Sequence, residues 1–400
     1  MGLLLSEVYG RWQRVAEARA EQLHTWKLAR AEGEWLTEGK LLGMFTSLAV
    51  IADDSAGSQR PMARAYAEEL ALRQPAACDV AVSARYDLAL TAINQLRFAE
   101  ARQELAALPP CAAAPDPADA VKRLHVRVHL VRDALRTAAS SAHAQQALAT
   151  LRADLQALRQ GAALSAPQRA FLDHSEGRLL IDHSAAAGEA LLHKAIAAAK
   201  LLGADPAFAA DALVTKTRAF SYSVLALAKA RTQDGVAALT ALAQEQGLPV
   251  PTRCALGMAV EDQRRMAVVL GADGRALVHY DEARTSPSDA PHTVLTAPLL
   301  AALATCPVVD VLARPPVHGT ARLLPETIAW RYLSARRGPL ARSSGPAVIV
   351  ADVEPPVTLG LPRLATWQAL TGRTLSGASA TPERVLSAVC LLYTSDAADE

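Results

Sequence analysis

From the start of the chain to about Met258, apolar residues recur at intervals of three and four, the spacing that lines side chains along one face of an α-helix. Turn chemistry interrupts the pattern at Asp53-Asp54-Ser55-Ala56-Gly57, at Leu108-Pro109-Pro110 and at Gly203-Ala204-Asp205-Pro206, so the spacing predicts antiparallel helices joined by loops. Between Tyr86 and Leu108, Leu88 and Ala89 precede Phe98, Ala101 and Leu105 so that two helices can face each other with alanines at the contact. The unit resembles a degenerate tetratricopeptide repeat. A later stretch carries Leu191, Leu192, Ala195, Ile196 and Ala199 on one face, and Gly203 is the expected left-handed stop. The segment Cys111 to Ala118 reads as a proline-punctuated linker, and Ala138 to Leu164 as an amphipathic helix.

The pattern changes near Arg265. Met266 to Leu270 and Ala276 to Tyr280 flank Gly271-Ala272-Asp273-Gly274, which predicts a hairpin with Asp-Gly in its turn. Beyond it, Val294 to Ala304 reads as helix and Pro307 to Leu312 as a buried strand. Pro325 to Ser334 reads as a proline-started helix and Ala347 to Val353 as a second buried strand. Alternation of this kind predicts a mostly parallel α/β sheet. The expected class is thus α plus α/β, with a helical region over 1–258 and an α/β region over 259–389.

Composition narrows the functional classes. Hydrophobic residues make up 51% of the 400 but aromatics only 4%, and alanine and leucine dominate, which favours helix packing through small contacts. Lys plus Arg (41) balance Asp plus Glu (40) without a basic stripe, so a nucleic-acid partner is not expected. Cys78, Cys111, Cys254, Cys306 and Cys390 form no CxxC pair, which predicts neither a disulfide framework nor a zinc site and fits a reducing cytoplasm. No apolar run reaches spanning length, so no membrane is expected. Met1-Gly2-Leu3-Leu4-Leu5-Ser6 matches a myristoylation pattern, but it runs on into an amphipathic helix with Trp12, Val15 and Ala16, and the structural reading is preferred.

The second half carries a resemblance. Pro315-Pro316-Val317-His318-Gly319 leads to Leu323-Leu324-Pro325-Glu326 and Ala329-Trp330. Val350-Ala351-Asp352-Val353 with Pro355-Pro356 follows, then Leu359-Gly360-Leu361-Pro362, Leu375-Ser376-Gly377-Ala378 and Ala380-Thr381-Pro382. Together these residues, over roughly Cys254 to Val389, resemble a bacterial CHAT domain, the caspase-like domain associated with tetratricopeptide repeats. The resemblance implies an incomplete caspase-like α/β domain and a cysteine peptidase whose thiolate attacks the scissile carbonyl while an imidazole handles protons. It also implies that both catalytic residues lie beyond Val389, that the complete protein acts on a polypeptide, and that a protein or peptide partner docks on the helical region. Cys390 to Glu400 resembles translated sequencing adapter, so a native tail is not expected there and the chain reads as truncated. A non-enzymatic helical-repeat scaffold is the alternative.

No residue before Val389 is expected to be catalytic, to hold a cofactor or to ligate a metal. His318, after a strand and before Gly319, has no thiol after the next strand, and Cys390 follows a helix. Cys306 reads as a small buried residue. Asp352 ends an apolar strand but has no phosphate-binding loop beside it and reads as a capping residue. His125 and His129 have the i, i+4 spacing of a zinc helix, yet Val126, Arg127 and Val128 stand where the motif needs glutamate. Ser376 lacks a GxSxG context and reads as part of a turn. Arg331, Arg336, Arg337 and Arg342 read as a solvated helix end.

Overall fold

A computed structural model describes residues 15–34, 78–108, 117–138, 140–161, 164–209, 211–286, 289–314, 317–320, 322–333, 348–351 and 373–377, with a few isolated positions besides. It divides into two compact units, 1–334 and 335–400.

The first unit opens with helices. They are α1 (Val15–Glu32), α2 (Cys78–Asn94), α3 (Phe98–Ala106), α4 (Pro117–Ala138), α5 (Ala142–Gly161), α6 (Ala166–Leu180), α7 (Ala185–Ala204), α8 (Ala212–Arg231) and α9 (Gly235–Gln246). Local chemistry sets several of their starts. Ser165 and Gln168 form a reciprocal capping box on α6, Asp211 accepts the Leu213 and Val214 amides on α8, and Asp234 accepts the Ala237 amide on α9. Gly247 closes α9 in the left-handed region at φ 67°. The paired helices expected around Tyr86 to Leu108 are α2 and α3, whose Ala89, Ile93, Phe98 and Ala101 share one buried cluster. The face expected on α7 is also present, with Leu192, Ala195, Ile196 and Ala199 buried. Gly203 does not stop this helix, which continues to Ala204 and is capped by Asp205 at φ −85°.

A five-stranded sheet follows: β1 (Ala255–Glu261), β2 (Arg264–Leu270), β3 (Ala276–Asp281), β4 (Val309–Ala313) and β5 (Trp330–Tyr332), with α10 (Ala297–Ala304) between β3 and β4. Their order is β3-β2-β1-β4-β5. The hairpin β2–β3 is as expected, but β1, which the helical spacing covers as far as Met258, is a strand that pairs antiparallel with β2 and parallel with β4. The sheet is therefore mixed rather than mostly parallel. A second correction concerns Pro325 to Ser334: no helix forms over the described residues 325–333, and Trp330-Arg331-Tyr332 makes β5, parallel to β4. The two aromatic rings, on one side of the strand, meet edge-on at 5.1 Å.

Strand alternation divides the core. Ala255, Ala259, Met266, Val268 and Leu312 face α8 and α9, whereas Leu256, Met258, Ala267, Val269 and Val311 face α10. Glu245 and Gln246 at the end of α9 fasten it to the end of β4, through Arg314 Nε at 2.6 Å and the Ala313 carbonyl at 3.1 Å.

In the second unit, β6 (Val348–Ala351) and β7 (Arg373–Ser376) pair in parallel as a two-stranded sheet, with Ala351 opposite Ser376. β6 matches the expected strand. Residues 1–14, 352–372 and 385–400 lie outside the described residues, and with them Met1 to Trp12, Asp352 and Cys390.

Candidate functional site

The β1–β2 hairpin turns through two residues, Asp262 and Gln263, with Asp262 in the left-handed region at φ 50°. This turn brings the Asp262 carboxylate into the helical region. His129 Nδ1 lies 3.1 Å from Asp262 Oδ1, His129 Nε2 lies 3.3 Å from His125 Nε2, and His125 Nδ1 lies 3.3 Å from Ser175 Oγ. An ionised carboxylate only accepts, and with both imidazoles neutral this sets each proton in the chain of contacts. His129 Nδ1–H donates to Asp262, His125 Nε2–H donates to His129 Nε2, and the Ser175 hydroxyl donates to His125 Nδ1. Both imidazoles are neutral in this arrangement.

Electrostatics agree with that assignment. Burial pushes both histidines below their ordinary value, well below for His125, and Arg178 adds to the effect at each. Burial alone would raise the Asp262 carboxyl, but His129 beside it and the Arg178 and Arg132 guanidiniums hold it well below the usual carboxylate range. Arg178 Nη2 lies 2.7 Å from Glu261 and 3.2 Å from Asp262, and Arg132 approaches the same two carboxylates at 3.6 Å. A neighbouring centre, Asp182 in the turn after α6, gathers Arg132 (3.3 Å), Arg231 (2.6 Å) and Arg264 (2.5 Å). Helices α4 and α6 are thereby tied to the tip of one hairpin by buried ion pairs, and Arg231 of α8 joins the neighbouring centre at Asp182.

A cavity of about 830 Å³ opens over this network. Its lining is partly aromatic, with His125, His129, Phe171 and Phe220, and the His125 ring lies 4.7 Å from Phe171. Leu90, Ile93, Val121, Leu213 and Val260 add apolar wall. Five cations, Lys122, Arg178, Lys216, Arg284 and Arg314, line it against three carboxylates, Asp87, Glu261 and Asp262. A pocket of this size, mostly apolar with a few convergent polar groups, has the character of a small-molecule site.

His125 and His129 do share an inward helix face, as their spacing implied. Their Nε2 atoms bond to each other and each Nδ1 is engaged elsewhere, so the pair presents no open chelate. No group of three or more metal-ligating side chains occurs among the described residues. Asp262, Glu261, Arg178 and Arg132 carry the site, and reading the sequence did not find them. The available signal was the placement of two histidines on a helix face otherwise made of Val121, Leu124 and Val128.

The other candidates do not converge on this cavity. Val317-His318-Gly319 forms an exposed-ended turn whose Val317 and Thr320 carbonyls accept from the Tyr332 hydroxyl, with the His318 ring 4.5 Å from that of Tyr332. Arg331 lies on β5, not at a helix end, and pairs with Asp310 on β4 at 2.7 Å. Ser376 ends β7, with Gly377 at φ 51° beyond it. Cys306 is buried but bonded to Cys254 in a disulfide, Cα to Cα 5.5 Å, and Cys78 is disulfide-bonded as well. This corrects the expectation of no disulfides and removes that ground for a reducing compartment. Spacing along the chain could not reveal the pair, because the parallel β1–β4 register brings the two together across 52 residues. Among the described residues no helix is long and apolar enough to cross a membrane.

Compared with models of known protein families and with curated protein sequences, the chain matches none.

Proposed function

We propose that this chain is the signal-receiving part of a caspase-like cysteine peptidase of the CHAT type, in which tetratricopeptide-like helices receive a protein or peptide partner and act on the α/β domain behind them. The observation that carries this reading is the burial of the Asp262 hairpin tip among α4 and α6 side chains. A partner that shifts those helices displaces β1 and β2, and through β1 the parallel strand β4 that leads toward His318. The catalytic His and Cys are proposed to lie beyond Val389, and the substrate of the complete protein to be a polypeptide.

The second reading is a non-enzymatic binding scaffold. Cys78, Cys254 and Cys306 are all disulfide-bonded, so none of them offers a thiolate. Sequencing the native gene past the codon for Val389 separates the two. A strand, a His-Gly loop and a further strand ending in Cys support the peptidase, and cleavage of casein lost in the Cys→Ala variant would secure it. Continuation without those residues leaves the scaffold.

A further inference from the structure

We infer that the cavity between α2, α4, α6, α8 and the β1–β2 hairpin is a binding site for an uncharged small molecule, an apolar ring system that carries a hydroxyl or carbonyl group. The inference goes beyond the signal-receiving reading and does not depend on a peptidase being attached.

The charges of the lining disfavour an ion. Lys122 is matched by Asp87 at 2.5 Å, Arg178 by Glu261 at 2.7 Å and Asp262 at 3.2 Å, and Arg314 by Glu245 at 2.6 Å while it lies over the Phe220 ring at 5.4 Å. Arg284 donates to the Asp262 carbonyl at 3.0 Å, and Lys216 stands exposed on the rim, where water solvates it. Both nitrogens of His125 and of His129 are used inside the relay, so these rings offer a ligand aromatic surface rather than hydrogen bonds. An ion entering the cavity would give up its hydration to walls whose charges are already engaged, whereas an uncharged molecule has little hydration to lose.

Shape and one hydroxyl select what enters. Leu90, Ile93, Val121, Phe171 and Phe220 supply apolar surface, and a volume of about 830 Å³ accommodates a fused or linked ring system with room for water. Ser223 lines the same cavity, one turn after Phe220 on α8, and is only 3% exposed. Its side chain forms no hydrogen bond among the described residues. A buried hydroxyl left unbonded costs free energy. Since serine can both donate and accept, a ligand hydroxyl or carbonyl would recover that loss. An occupant so held would touch four helices and the Asp262 hairpin at once, bridging the helical region and the sheet.

The test is fluorescence titration of the full chain with uncharged N-phenyl-1-naphthylamine, followed at neutral pH by displacement with 2-naphthol, naphthalene and 2-naphthoate. Expected is saturable one-site binding of the probe, with 2-naphthol displacing it about tenfold more effectively than the carboxylate on the same rings. Ser223→Ala should weaken 2-naphthol about threefold or more and leave naphthalene, which has no polar group, unchanged. Leu213→Trp, which places bulk in the cavity wall, should weaken the probe and all three competitors. Arg152→Trp, at an exposed α5 position that does not line the cavity, should leave them unchanged. Far-ultraviolet circular dichroism checks that each variant is folded; if Leu213→Trp is not, the ligand ranking on wild type and the Ser223→Ala variant decide. Displacement by 2-naphthoate at least equal to that by 2-naphthol, non-saturable probe binding, an unchanged 2-naphthol affinity in Ser223→Ala, or a folded Leu213→Trp no weaker than Arg152→Trp overturns the inference. None of these outcomes bears on whether catalytic residues lie beyond Val389, so the two readings fail separately.

Discussion

His129 and Asp262, separated by 133 positions in the chain, stand 3.1 Å apart with the imidazole 5% and the carboxylate 13% exposed. The pair joins a helix of the first half to a hairpin tip of the second. Asp262 also balances Arg178 and Arg132, a duty it shares with Glu261 and, for Arg132, with Asp182.

Asp262→Asn should therefore cost more than one hydrogen bond. It removes one of the carboxylates that two buried guanidiniums share, leaving Glu261 and Asp182 to balance them, so the loss should approach but not exceed the roughly 3–5 kcal/mol of a buried pair broken from one side. Urea denaturation of wild type and variant measures it, with Gln263→Ala as a neighbouring control in the same turn. A loss under about 1 kcal/mol would mean that solvent or Glu261 already neutralises these cations.

The relay also sets a pH dependence. His125, His129 and His174 all have folded-state pKa values below the ordinary 6.5, for which burial is the leading cause. As pH falls below about 6.5 the unfolded chain takes up these protons first, so stability declines toward acid. Each histidine contributes up to about 1.4 kcal/mol per pH unit until its folded pKa is passed. Glu245 works in the opposite sense: burial lifts its carboxyl to about 7, so its contribution falls as pH rises from 4.5 toward 7. In Glu245→Gln the acid decline between pH 7 and 5 should steepen by about 1 kcal/mol per pH unit. Urea midpoints over that range check it, and an unchanged slope would refute the assignment to Glu245.

The helices were legible because their information is local. The buried face of α7 repeats at three and four residues, and the β2–β3 hairpin announces itself with Asp273-Gly274. β1 was not legible, since Ala255 to Glu261 (ALGMAVE) is rich in helix formers, and only its pairing on both sides with β2 and β4 makes it a strand. β5 is three residues long, too short for its alternation to outweigh a proline-started pattern. The site stayed hidden for a related reason. His125 and His129 were visible as a pair, but the hairpin that completes them lies more than a hundred residues away, and nothing in local spacing predicts its docking.

Helices α6 and α7 pack at a distance only glycine allows. A Cβ on Gly188 would lie 2.6 Å from both the backbone nitrogen and the Cα of Ile181, and backbone cannot move aside as a side chain can. Gly188→Ala should destabilise by about 1–3 kcal/mol, although alanine is the better helix former. Because Asp182 follows Ile181 directly, the strain should also loosen its contacts to Arg132 and Arg264. Amide exchange at the α6–α7 turn would then rise more than at α5. Retention of wild-type stability would mean that the two helices can separate freely.

The disulfide offers the last test, and it reaches the sheet directly. Cys254 precedes β1 and Cys306 precedes β4, and the Cys254 carbonyl accepts from the Asp310 amide at 2.9 Å, so the bond clamps the start of the parallel pair. Closing a loop of this length restricts the unfolded chain, and the Cys254→Ser, Cys306→Ser double variant should lose about 2–4 kcal/mol. The effect should be confined to the first unit and vanish when wild type is compared under strong reductant. Thermal melts with and without dithiothreitol measure it. If both melts coincide in wild type, the two thiols are unbonded in solution, and Cys306 is the small buried residue that its position at a strand start first suggested.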